Sequence, residues 1–136
     1  MEAHRQLSDS KFAHQFESLT LTPQWFTHEA HLRLAWIHLK RGSLAEAEQN
    51  ICQQIQIFDR TFDEGTKFHK TLTITAVNGV NHFLQQSKSD NFQDFIVEFP
   101  DLKYRFKDLL ATHYSWNIFE DEQAKVEFVA PDLAGF

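Results

Sequence analysis

A chain of 136 residues, 42% of them hydrophobic, is long enough to bury one sizeable core and too short to divide sensibly into two domains. Thirteen basic against nineteen acidic side chains, a formal charge of -6 with no run of Lys or Arg, exclude a phosphate-tracking nucleic-acid surface. No apolar run approaches the roughly 18 residues of a membrane span, Met1 to Gln6 lacks the apolar stretch of a signal peptide, and the single Cys52 excludes an internal disulfide, so a cytoplasmic protein is expected.

In chain order, residues 1–7 read as a polar tail. Ser8 or Ser10 can cap a first helix carrying Phe12, Phe16 and Leu19 at helical spacing. Thr22 before Pro23, or Thr27, opens the central helix, which runs to Arg41 and stops at Gly42. At roughly 100° per residue this helix gathers Glu29, Arg33 and Lys40 into one outward polar arc and turns His28 and His31 inward among Leu, Ala and Ile. Ser43 and Glu46 form a capping box, and Leu44, Ala47, Ile51, Ile55, Phe58 and Phe62 then draw the clearest amphipathic stripe in the chain. After Asp63-Glu64-Gly65, the positions His69, Leu72, Thr73, Ala76, Val80 and Phe83 keep helical spacing through a segment whose β-branched residues would otherwise suggest a strand. Asp90 caps a short helix with Phe92, Phe95, Ile96 and Phe99. Another helix runs from Pro100 to about Thr112, an aromatic corner follows at His113-Tyr114-Ser115-Trp116, a last short helix reaches Phe128, and 131–136 read as a second tail. The fold expected is all-α, a single-domain bundle of five to seven helices over 1–136.

Eight histidines are present, of which His4 falls in the first tail and His82 on an outer face. His28, His31 and His69 are the three expected to face inward from two helices, where an unpartnered imidazole is costly. Three readings stay open. The rings can bind a divalent transition metal such as zinc, iron or nickel, with open positions for substrate. They can orient a small polar ligand in a Phe-lined pocket with Thr73 and Tyr114. Or they can form a buried hydrogen-bond network without any ligand. Glu29, read as outward-facing, is a poor general base for the first, and Cys52 reads as a small packed side chain.

The stretches Thr27-His28-Glu29-Ala30-His31-Leu32, Phe68-His69-Lys70-Thr71-Leu72-Thr73, Tyr114-Ser115 and Pro131-Asp132-Leu133 together resemble an uncharacterised family of small bacterial helical proteins. The chain has Phe68 where that pattern usually has tyrosine. The resemblance implies no reaction. It does imply that His28, His31, His69, Thr71, Thr73, Tyr114 and Ser115 belong to one set, in which the residues themselves make the histidines the candidate metal ligands and Thr71, Thr73, Tyr114 and Ser115 the candidate ligand-binding groups. The expectation is therefore an internal histidine-lined site, with metal-assisted hydrolysis as the default chemistry if metal binds. The alternative is a non-enzymatic interaction protein, a homodimer, whose 14 Phe residues cover a partner surface.

Overall fold

Side-chain caps set the helix starts, and most of them are local enough to be legible in the sequence. In the computed structural model, which describes residues 2–136, Ser8 Oγ accepts from the Lys11 amide at 3.2 Å and opens α1 (Asp9–Glu17). Thr27, not Thr22, caps α2 (His28–Arg41), while Pro23–Trp25 form a separate 3-10 turn. The Ser43–Glu46 capping box opens α3 (Leu44–Phe62), satisfying two otherwise orphaned amides reciprocally. His69 caps α4 (Lys70–Leu84) with its ring, and Asn91, one residue beyond the expected Asp90, caps α5 (Phe92–Glu98).

The helix expected from Pro100 to Thr112 is two short ones, α6 (Asp101–Tyr104) and α7 (Phe106–Ala111). Arg105 breaks it, with φ -133° and ψ 36°. A 3-10 turn at Ile118–Glu120 then leads into α8 (Glu122–Val126), capped by Asp121. Eight α-helices and no strand make the described residues all-α, and five of the helices have seven residues or more. No helix among them is long and apolar enough to cross a membrane.

The chain divides into two units, Met1–Phe68 and His69–Phe136. In the first, α1, α2 and α3 pack on one another. Phe16 stacks on Phe26 and Phe58 with centroids 4.3 and 4.7 Å away, a geometry that adds about 0.5–1.5 kcal/mol per pair beyond area burial. In the second, α4 packs against α8 and the 118–120 turn, while Leu110, Tyr114 and Ile118 form a buried cluster with Leu72, Phe106 and Phe119 beside it.

Both segments read as tails are held in place. Residues 3–6 form a 3-10 turn with His4 fully buried. At the other end Leu133 donates its amide to His113 O at 2.9 Å, and the Phe136 ring lies 3.9 Å from that of His113.

Candidate functional site

The polar arc of α2 is the first place where the fold departs from the sequence reading. Glu29 is 1% exposed and Arg33 is buried, whereas Lys40 reaches solvent with its ammonium over the Trp36 ring. The cause is the N-terminal segment, which lies on that side of the helix and supplies the partners. Glu29 accepts from His4 Nε2 at 2.7 Å, from Arg5 Nε at 2.9 Å and from Arg5 Nη2 at 2.5 Å. Arg33 donates to His4 O at 2.6 Å, to Leu7 O at 2.7 Å and to Asp9 Oδ1 at 2.9 Å.

The His4 ring is fixed between them. A carboxylate only accepts and a guanidinium only donates, so Nε2 carries the proton toward Glu29 and Nδ1 receives Arg33 Nη1 at 3.3 Å. Burial pushes the His4 imidazole below its usual range, against the Glu29 carboxylate, which raises it. A neutral ring fits a network in which the guanidiniums of Arg5 and Arg33 face the carboxylates of Glu29 and Asp9.

Glu2, His4 and Glu29 are the group among the described residues that brings three metal-type ligand atoms within 4.8 Å of one another. The donor set does not suit a cation. His4 Nε2 spends its proton on Glu29, Arg5 occupies both Glu29 oxygens, and a metal ion would have to displace that guanidinium while facing Arg33.

Of the histidines expected to face inward, His28 is exposed. It is the first residue of α2, at the point where the chain leaves the Thr27 cap. His31 is half-buried with its ring 4.2 Å from that of Phe26. Burial, with a smaller contribution from repulsion by His28, pushes its imidazole down to about 4.

His69 belongs to the other unit and is buried, but it stands outside the helix as its N-cap. Nδ1 accepts from the Leu72 amide at 3.1 Å and Nε2 donates to Ile118 O at 2.8 Å. Both ring nitrogens are thus spent, and this ring has no lone pair to give a metal in the conformation present.

Of the residues read as ligand-binding, Thr71, Tyr114 and Ser115 hold the C-terminal segment. Thr71 Oγ1 donates to Glu127 O at 2.8 Å and receives the Val129 amide at 3.0 Å. Thr73 Oγ1 turns back onto His69 O at 2.8 Å. Tyr114 donates its phenol to Val129 O at 2.6 Å and pairs with Thr75 Oγ1 at 3.2 Å, and burial raises its pKa. Ser115 bonds the Asp132 carboxylate through both its amide and its hydroxyl, which holds the Asp132 carboxyl below its usual range. His113 Nδ1 donates to Ala134 O. Thr71, Thr73, Tyr114 and Ser115 all lie in the second unit, and the Asp of the Pro131-Asp132-Leu133 stretch is Ser115's partner.

Two of these residues also border a cleft. It has a volume of about 360 Å³ and lies between α7 and the 118–120 turn. Leu110 and Ile118 are buried beneath it, Tyr114, Trp116 and Phe119 supply aromatic surface, and Lys107, Ser115 and Asn117 are its exposed polar residues. Tyr114 and Ser115 were named from the sequence as ligand-binding groups of the histidine site, and Lys107, Trp116 and Phe119 were not named as site residues. The aromatic corner at 113–116 was the available signal. No protein-family model, no curated protein and no solved structure matches the chain.

Proposed function

We propose that this chain is a small-molecule-binding protein whose site is the cleft between α7 and the 118–120 turn. The observation that carries the reading is a concave surface of about 360 Å³ in which Trp116, 38% exposed, stands beside Phe119 and Tyr114. Small-ligand sites have volumes from about 300 Å³ upward and mostly apolar, aromatic linings. Binding is favoured over catalysis by the state of the polar lining. The Ser115 hydroxyl is bonded to a carboxylate held below its usual range, which makes that carboxylate a weak base, and the Tyr114 phenol is spent on a backbone carbonyl.

The alternative of zinc, iron or nickel on His28, His31 and His69, with hydrolysis as its chemistry, requires His69 to give up Leu72 or Ile118. A homodimer has a separate support, the exposed apolar side chains Val97, Tyr104, Val126 and Leu133, and light scattering at several concentrations tests it.

The cleft is tested by a fragment screen read on amide and indole resonances of the labelled protein. Supporting fragments shift Trp116, Asn117 and Phe119 together. Binding confined to residues outside 107–119 overturns the proposal.

A further inference from the structure

We infer that α4 and residues 113–115 form a seat for an extended segment, filled here by 127–136 of the same chain and open by exchange to the 127–136 segment of a second copy. This goes beyond the ligand role proposed for the cleft, although Tyr114 and Ser115 border both. Thr71 Oγ1 donates to Glu127 O at 2.8 Å and accepts from the Val129 amide at 3.0 Å, and Tyr114 Oη donates to Val129 O at 2.6 Å. Ser115 N donates to Asp132 Oδ1 at 2.9 Å, and its hydroxyl takes the other carboxylate oxygen. Leu133 N donates to His113 O at 2.9 Å, and His113 Nδ1 donates to Ala134 O.

Phe136 completes the grip. Its ring centroid lies 3.9 Å from that of His113, and a β-carbon on Gly79 would meet Phe136 Cζ at 3.4 Å, so the ring rests on α4 where a side chain is missing. The main chain is thus held along its length, while the carboxylate at 132 and the aromatic ring at 136 are each read singly. Domains that bind extended peptides divide the work in the same way, with main-chain bonds for affinity and side-chain sockets for specificity.

Seat and occupant differ in how they are anchored. Thr71, Gly79, His113 and Tyr114 are buried. The first two belong to α4, and the amides of the other two both donate to Leu110 O at 2.9 Å, so the seat keeps its shape when the segment leaves. No residue from 127 to 136 is buried, and Phe128 and Leu133 are 42% and 56% exposed. Glu127 leaves α8 in an extended conformation, φ -130° and ψ 144°. A segment held by surface bonds and one ring opens locally at less cost than the helices beneath it. A second copy offers the same carboxylate, ring and main chain in the same order, so exchange remakes every one of these bonds. The tether gives the chain's own segment an effective concentration in the millimolar range, so exchange becomes visible once that segment is weakened.

The test uses the labelled full chain carrying Asp132→Ala and Phe136→Ala, whose own segment is weakened and whose seat is intact. It is titrated with an amidated peptide of residues 127–136, then with an unlabelled chain carrying Gly79→Val, whose added side chain takes the place of the Phe136 ring and frees an intact segment. Both are expected to return the Gly79, His113 and Ser115 amide resonances toward their wild-type positions. A peptide with either the Asp132→Ala or the Phe136→Ala change is expected to bind about tenfold weaker. No return with the native peptide, or equal binding by the substituted ones, overturns the seat. Return with the peptide and none with the second chain overturns exchange between copies. Hydrogen exchange of the wild type adds a test that needs no variant. The Val129 and Leu133 amides are expected to exchange at least about 100-fold faster than the slowest amides of α4, and equal rates overturn the inference.

Discussion

Replacing Glu29 by alanine separates the two descriptions of α2. On the outer arc expected from helical periodicity, the change would alter stability by no more than about 0.5 kcal/mol. In the fold, Glu29 is buried and accepts three hydrogen bonds from His4 and Arg5. Removing one partner of a buried charge pair costs about 3–5 kcal/mol, because the other charge stays behind without compensation. The Arg5 side chain is 30% exposed and can recover part of its hydration, which places the loss near the lower limit, about 3 kcal/mol. Urea unfolding at pH 7 measures it, with a midpoint drop of about 1.5 M for a slope of about 2 kcal/mol/M. Glu29→Gln keeps an acceptor for His4 and loses less, about 2 kcal/mol. Lys40→Ala, on the same predicted arc but exposed, stays within about 0.5 kcal/mol. A loss below about 1 kcal/mol for Glu29→Ala refutes the argument that the N-terminal segment is clamped through this carboxylate.

Other perturbations give equally definite outcomes. The His31 imidazole sits at about 4 in the folded chain against 6.5 for a free imidazole, so the unfolded chain binds more protons between those values. Its share of stability is complete above pH 6.5 and is lost as pH falls toward 4, about 2–3 kcal/mol in all for a half-buried ring. His31→Phe should flatten the fall between pH 6.5 and 4.5 by a corresponding amount in urea unfolding, and an unchanged slope contradicts the burial argument. Asp59 is buried, with Oδ2 receiving the Lys67 and Phe68 amides at 2.9 Å each and Oδ1 without a hydrogen bond among the described residues. Asp59→Asn keeps an acceptor and removes a buried charge, so it is expected to be neutral or stabilising, whereas Asp59→Ala costs about 1–3 kcal/mol. A large loss in both variants counts against that account. Tyr114→Phe strands the Val129 carbonyl and should cost about 1–2 kcal/mol by thermal or urea unfolding.

Helix boundaries were readable where their cause is local. Thr27, the Ser43–Glu46 box and the α3 stripe each need only four to eight neighbouring residues, and the all-α class follows from them. Partners distant in sequence were not readable. Glu29 in the first turn of a helix looks like any acid favoured by the helix dipole, and its bond to His4 crosses 25 positions. The only hint was Glu29 and Arg33 one turn apart, with His4 and Arg5 in a polar lead-in. His69 was misplaced for a related reason. Its helical spacing with Leu72 and Thr73 is real, but the ring caps the helix from outside, a role that Ser, Thr, Asp and Asn usually fill. Thr71 and Tyr114 are buried and bonded to a C-terminal segment that carries no helical pattern to announce it, and Thr75 pairs with the Tyr114 hydroxyl.

The buried histidines His4, His69 and His113 are consumed by hydrogen bonds within the fold. Long-range proton–nitrogen spectra of the imidazoles at pH 7 test this most directly, since they resolve the tautomer and the engagement of each ring. The structure predicts neutral, Nε2-protonated rings for His4 and His69, an Nδ1 proton on His113, and no change in His69 on adding zinc. An Nδ1-protonated His69, or a His69 signal that moves with one equivalent of zinc, contradicts it.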